Sequence, residues 1–465
     1  MKVTAALSSF ISDCSADALP PEVVRRTALL VLDLAGNAVR ARRDAESTPA
    51  LAAAVAALGL ANGTARVFAD PRGYAPAGAA LMNATLGHSL DFDDTHAAAI
   101  VHPGAPVIPA ALAAAEMTGA TGAELVAAIV AGYEVALRLA LALPAGSHYD
   151  RGFHPSATCG VFGAAAAAAR VFGLDPKRVA SALGIALSQS AGSLQFLENG
   201  AWTKRFQVGW ASMAGLAAAT LARKGFKGAA DAIEGRHGFL NAYAPMPVPA
   251  RVTKDLGQVY ELMATGVKPY PSCRWGHAGI DAALAMRAEH GIRPDEIESV
   301  TLGVSRAGLL LIGEPVAKKA DPRNIVDAQF SGPFVLSVAL ATGTMDWDSY
   351  RLLDDPGIRA LMAKVRCEND PAMEAEFPAS MSGKLTVRAR GQTFARTVIV
   401  PRGEPSNFPS EMDLRAKFHG LADAVLGPVS AAALAADVLR LAKLPQASVL
   451  LGHAPETSAI LSAAE

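Results

Sequence analysis

The sequence predicts a mainly α protein with a large all-helical domain, 1–264 together with 406–465, and a smaller α+β domain over 265–405. Three observations lead there. Apolar residues recur at helical spacing throughout the first half, strand-like alternation is nearly absent before about residue 250, and alternation appears between helical stretches after about 265. The return of helical spacing after 405 suggests that the C-terminus rejoins the first domain.

The elements follow in order. "PPEVVRRTALLVLDLAGNAVRA" opens with prolines suited to a helix start and repeats Val23/Val24, Leu29/Leu30, Leu32 and Leu34 at helical spacing. A helix beginning near Pro76, if it continues, places His88, Asp91 and Thr95 on one face at spacing i, i+3, i+7. "GAELVAAIVAGYEVALRLALAL", 122–143, is a long apolar helix with Glu124, Glu134 and Arg138 as its charges. In "LDPKRVASALGIALSQSAG", Asp175 is the N-cap and Pro176 the first helical residue, because the first backbone N–H groups lack internal partners. "RFQVGWASMAGLAAATLARKGF" is a small-residue helix ending near Gly225. In the second domain "IESVTLGVS" is a strand. "KLTVRARGQTFARTVIV" is a hairpin with Gly391-Gln392 as its two-residue turn. "HAGIDAALAMRAEHG" and "IVDAQFSGPFVLSVALATG" are helices between them, and "SEMDLRAKFHGLADAVLG" and "SAAALAADVLRLAKL" restore the helical pattern.

Composition limits the function. The 465 residues are 51% hydrophobic and 18% charged, enough for a large core. With 42 basic against 43 acidic residues the net charge is −1, so no overall field favours nucleic acid or an anionic membrane. The uncharged runs 95–115 and 328–345 contain histidine, proline, glycine or serine and do not read as lipid-facing helices. Cys14, Cys159, Cys273 and Cys367 are far apart with no C-x-x-C pair, which suits a reducing cytoplasm and argues against a disulfide framework or structural zinc. The N-terminal segment is interrupted by Ser, Asp and Cys before a signal core forms, so a cytoplasmic location is expected.

Three segments concentrate chemistry. "GHSLDFDDTHAAAIVHPG", 87–104, carries three aspartates and three histidines in an alanine-rich setting, where unpartnered charge is costly to bury. A polar interhelix loop and a metal site are its competing readings, the metal reading being weakened by the lack of a tight His-x-x-x-His spacing. In "ENGAWTKRFQVGW", Lys204 and Arg205 stand at a helix start, where two cations oppose the dipole unless an anion joins them. "VKPYPSCRWGHAGIDAAL" holds Lys268, Arg274 and His277 on a proline-stiffened loop, with Cys273 read as a packed thiol rather than a nucleophile. His154 adds a second His-Pro step before an apolar helix. There is no phosphate loop, G-x-G-x-x-G fingerprint or G-x-S-x-G elbow. The inventory suits cofactor-free acid-base chemistry on a small polycarboxylate.

In order along the chain, "HSLDFDDTH" with its following "HP", "GFHPSATCGVFGAAAAAARVFGL", "WTKRFQVGWASMAGLAAATLARKGF", "EGRHGF", "KPYPSCRWGHAGIDAAL" and "DAQFSGPFVLSVAL" resemble the MmgE/PrpD family. That family includes 2-methylcitrate dehydratase, cis-aconitate decarboxylase and iminodisuccinate epimerase. The resemblance implies that the smaller domain is a lid, that the active site lies between the domains, that the chain forms a homodimer, and that no metal or organic cofactor is used. It implies catalytic roles for Asp91, His102, His154, Lys204 and Lys268 and a substrate contact for Thr95, to which the basic segments themselves add Arg205, Arg274 and His277 as candidate substrate contacts. His102 is expected to move the proton, Asp91 to orient it, and His154 to bind a carboxylate or carry a second proton, while the cations stabilise developing negative charge. Two departures stand out: Gln207 where many relatives have a histidine, and "SCRWGH", which is unlike the methylcitrate dehydratases proper. A dehydratase or decarboxylase is expected, with an epimerase or a non-catalytic carboxylate binder as alternatives.

Overall fold

The computed structural model describes residues 2–455 other than Asn199. The chain forms two compact units, Met1–Gly266 with Ser410–Glu465, and Val267–Pro409. The mainly α class is as expected from the periodicity.

In the first unit the central helix Gly122–Ala142 is long and apolar enough to cross a membrane, yet 94% of its most apolar stretch is buried inside the protein. It starts with a capping box in which Thr121 and Glu124 each accept from the other's backbone N–H. Helix Gly160–Val171 packs on it, and helix Thr203–Arg223 packs on Gly160–Val171 and on Pro76–His88. Small residues make these contacts close. A Cβ at Gly209 would lie 2.1 Å from Thr85 Oγ1 and 2.9 Å from the Leu81 carbonyl oxygen, so any side chain there would push helix Thr203–Arg223 off Pro76–His88. Asp175 caps helix Pro176–Leu187 by accepting from the Arg178 N–H, as its sequence indicates. Helices Glu411–Leu426 and Pro428–Leu439 belong to this unit, the former packed against Pro21–Asp44.

The first unit is not wholly helical. Strands β1 (Ala65–Val67) and β2 (Asp70–Tyr74) form an antiparallel pair. Its β2 sequence, "DPRGY", has no alternation to reveal it, and its Asp70 instead gathers Arg42, Arg72 and the Tyr74 hydroxyl.

The second unit holds a four-stranded sheet of β3 (Ile297–Val304), β4 (Val365–Asn369), β5 (Gly383–Ala389) and β6 (Gln392–Val398), in the order β4-β3-β5-β6. β3 runs parallel to β4 and antiparallel to β5, with Val300 opposite both Val365 and Val387. Helices His277–His290 and Gly332–Thr342 pack together. The segment read as one helix from 325 is two, Ile325–Gln329 and Gly332–Thr342, divided where the Ser331 hydroxyl caps the second. The hairpin is present, but its turn is Arg390-Gly391, both at positive φ, and Gln392 already belongs to β6. Two successive positive φ values make the primed turn whose twist suits the strands.

Candidate active site

Helix Pro76–His88 stops at His88. Ser89 and the aspartates that follow favour local turns over helix continuation, and Asp91 adopts φ 52°, a left-handed conformation that Asp tolerates better than most residues. The face expected to join His88, Asp91 and Thr95 therefore does not exist. Thr95 instead exchanges backbone hydrogen bonds with Gly266, and His96 with Val101. The loop is anchored from beneath: the Phe92 carbonyl accepts from Asn37 and from Lys417, whose ammonium also meets Asp33 at 2.6 Å.

This anchoring brings His102 into a defined pose. Its backbone N–H donates to Ser156 Oγ at 3.0 Å. Its ring Nδ1 lies 2.8 Å from the Asp94 carbonyl oxygen, which only accepts, so Nδ1 carries the hydrogen and Nε2 is left for chemistry. Asp93 Oδ2 is 3.5 Å from that Nδ1 and 2.8 Å from Nδ1 of His88. The groups that meet the His102 ring at Nδ1 are thus the Asp94 carbonyl and the Asp93 carboxylate. Asp91 turns to Lys204, with its Oδ1 2.7 Å from Nζ. The anion that Lys204 requires at its helix start is this carboxylate.

The two inner aspartates are opposites. Burial would push Asp93 up, but His88 and His102 on either side hold it well below the ordinary carboxylate range. Asp94 is raised well above it by burial and then by the neighbouring Asp93. It is nonetheless fully engaged: Oδ2 accepts from the Tyr133 hydroxyl at 2.7 Å and Oδ1 from the Gly104 N–H at 3.1 Å. A Cβ on Gly104 would sit 2.8 Å from that Oδ1, so the helix start can close over the carboxyl only because residue 104 is glycine. His88 is pushed down to about 4 by burial, with Asp93 opposing, and so donates to Asp93 as a neutral ring. For Lys204, burial lowers the pKa but Asp91 more than offsets this, keeping an ammonium in place.

His154 is buried at the start of the short helix Pro155–Thr158. Its backbone N–H donates to Gly192 and its Nδ1 lies 2.9 Å from Gln207 Oε1. Its ring is 6.3 Å from that of His88, which in turn is 4.7 Å from His102. Burial first, then the neighbouring His88, Lys204 and His102 side chains, hold His154 well below the usual histidine range. Thr95 Oγ1 is 3.4 Å from His102 Nδ1. The first unit therefore brings Asp91, Thr95, His102, His154 and Lys204 into one network, whereas the Arg205 guanidinium reaches back to Ser47.

The remaining sequence candidates lie in the second unit. Lys268 is buried. Arg274 is paired with Glu404, and His277 donates from Nε2 to the Ser272 carbonyl at 3.2 Å. Cys273 is buried and takes no part in a disulfide. Tyr133, Ser156 and Gln207 were not marked by sequence as site residues. Tyr133 could have been found as the one hydroxyl in the apolar stretch 122–143.

His88, Asp93 and His102 each offer one donor atom within 4.8 Å of the others, the one such group among the described residues that could close on a cation. A cation bound through the facing atoms of His88 and Asp93 would have to displace the hydrogen between them.

The sequence pattern of the MmgE/PrpD N-terminal domain matches residues 5–250, and that of the C-terminal domain matches 270–441. The chain is 26% identical over 460 residues to a cis-aconitate decarboxylase-like protein of Aspergillus oryzae, covering 91% of each. It is 25% identical to a cis-aconitate decarboxylase of Aspergillus terreus, over 97% of this chain and 95% of the relative. With a cis-aconitate decarboxylase of Mus musculus the identity is 27%, over 81% and 78%.

Proposed function

Because the chain belongs to the MmgE/PrpD family, we propose that it is a cofactor-independent lyase, a decarboxylase or dehydratase, acting on a small di- or tricarboxylate. The observation that carries this reading is the pose of His102, whose Nδ1–H is held by the Asp94 carbonyl while Asp93 stands 3.5 Å away. That arrangement supplies an oriented Nε2 and an anion to stabilise the imidazolium, which a proton-transfer group needs. The names of the relatives support the lyase class.

The chemistry follows from charge. In decarboxylation a carbon–carbon bond breaks, carbon dioxide leaves, and the electron pair stays on the substrate until His102 protonates it. In dehydration a proton leaves carbon, the electron pair forms the double bond, and hydroxide departs with a proton. Both routes develop negative charge beside a carboxylate, and a fixed ammonium at Lys204 stabilises that charge more in the transition state than in the ground state. Lys268 and Arg274 complete the proposed set of cations, with Thr95 and His277 as further substrate contacts. A homodimer remains part of the proposal, to be read by light scattering.

The test is NMR in deuterated water with citrate-like, aconitate-like and amino-dicarboxylate compounds. Loss of carbon dioxide or water supports the lyase. Deuterium uptake with stereochemical scrambling and no lyase product would make the protein an epimerase. Line broadening without turnover would make it a binder.

A further inference from the structure

The contact between His154 and Gln207 fixes the position of a proton by elimination. Gln207 lies in the first two turns of helix Thr203–Arg223. Its Nε2 is 2.8 Å from the Ser193 carbonyl oxygen, and a carbonyl only accepts, so the NH₂ end of the amide must face that way. Oε1 therefore faces His154 Nδ1 at 2.9 Å. An amide oxygen has no hydrogen to give, so Nδ1 must donate, and the neutral ring carries its lone pair on Nε2.

The frame around this contact is tied down. Gly192 and Ser193 accept from the His154 backbone and the Gln207 side chain respectively, and Phe153 and Ser193 form a backbone bridge. Phe196 meets the His154 ring edge-on with centroids 5.4 Å apart. The charged and titratable groups that act most strongly on the ring are His88, Lys204 and His102. The contrast with His102, which has Asp93 beside it, is chemical: one histidine adjoins an anion that stabilises a held proton, and the other adjoins a neutral acceptor that leaves a lone pair.

We infer that Gln207 is a positioning residue that locks His154 as its Nδ1–H tautomer, so that Nε2 meets the substrate as a proton acceptor and not as a cationic grip on a carboxylate. This rests on the lyase reading above and deepens it. In a dehydration, His154 Nε2 takes the proton as the C–H bond breaks, the C–H electron pair forms the double bond, and His102 gives a proton to the departing hydroxide. In a decarboxylation no proton leaves carbon, so the neutral His154 ring has no proton to take, while carbon dioxide leaves and His102 protonates the carbon that keeps the electron pair.

The experiment reads the tautomer first. In protein carrying ¹⁵N-histidine, long-range ¹H–¹⁵N spectra assigned with His154→Asn should show His154 with a protonated Nδ1 and a pyridine-like Nε2. An Nε2–H tautomer overturns the inference. Gln207→Met removes the acceptor at similar volume, should mix the tautomers, and should lower kcat by about 10- to 100-fold, less than loss of a proton-transfer group itself, while KM changes little. Gln207→Glu still accepts from Nδ1–H, so it should restore the tautomer and recover most of the turnover. Its charge beside the ring should also move the acid limb of kcat/KM to higher pH. Full kcat with an unchanged tautomer in Gln207→Met, or loss in both variants with no movement of the limb, defeats the proposal. The spectrum of the unliganded protein decides the tautomer even if no carboxylate in the panel turns over, so failure of the lyase reading stays separable.

Discussion

Replacing Asp91 by Asn should tighten the binding of a small dicarboxylate. The reasoning starts from the 2.7 Å contact between Asp91 Oδ1 and Lys204 Nζ, whose side chains are 17% and 29% exposed. Two unit charges at about 4 Å interact by about 1 kcal/mol in water and about 4 kcal/mol at an effective dielectric of 20. A partly exposed pair lies between these limits, at about 1–2 kcal/mol after screening and desolvation. Without ligand the variant should therefore lose about 1–2 kcal/mol of stability. A ligand carboxylate arriving at Lys204 would no longer compete with Asp91 for the ammonium, and should regain a similar amount, tightening Kd about 5- to 30-fold. Calorimetric titration of wild type and variant with succinate or cis-aconitate at low and moderate salt measures this. The gain should vanish in a second background, Lys204→Met, where proteins with and without Asp91→Asn should bind alike. Unchanged or weaker binding in Asp91→Asn, or a gain that survives removal of Lys204, would show that the substrate carboxylate does not sit at this ammonium.

Further expectations concern the same network. His102→Asn keeps a donor for the Asp94 carbonyl but offers no titrating atom. It should stay folded by circular dichroism and lose about 10²- to 10⁴-fold in kcat, and an unaltered kcat removes His102 from proton transfer. Asp93 and Asp94 should have opposite pH signatures. The lowered pKa of Asp93 contributes stability above its unfolded value that is lost as pH falls, whereas the raised pKa of Asp94 contributes stability at low pH that is lost as pH rises. Asp94→Asn, which can still face Tyr133 and Gly104, should therefore gain stability relative to wild type as pH climbs above 3.8, and a constant difference in denaturant midpoints across pH contradicts the buried neutral carboxyl. Dialysis against a chelator should leave turnover intact, and a loss restored by a divalent cation would put a metal among His88, Asp93 and His102.

Much of the fold was legible because helix periodicity and capping are local. Asp175 and the small-residue run 203–223 declare themselves in a few residues. What escaped depends on partners distant in sequence. The β1–β2 pair is short, and Arg42, Arg72 and the Tyr74 hydroxyl gather on the Asp70 carboxylate of β2. The hairpin turn shifted by one residue because the positive φ at Arg390 is set by strand register, which a glycine count cannot give. In the site, the residue types at 91, 102, 154 and 204 were readable, but their pairing was not. Helical spacing gave Asp91 the wrong neighbours, since the helix ends three residues earlier and the loop delivers it to a lysine 113 positions away. The orienting atom for His102 is a backbone carbonyl, which no side-chain motif encodes.

The backbone of Asp91 narrows what this position can become. At φ 52°, β-branched and bulky residues are strained, while Asp, Asn and Gly settle with little penalty. The chain can therefore change the charge opposite Lys204 by exchanging Asp for its isosteric amide without rebuilding the loop. Glutamate cannot substitute so simply, because its extra methylene places the carboxylate elsewhere and it lacks aspartate's ease in the left-handed region. Residue 91 can thus keep or drop the charge opposite Lys204 by a single exchange that leaves its left-handed backbone intact.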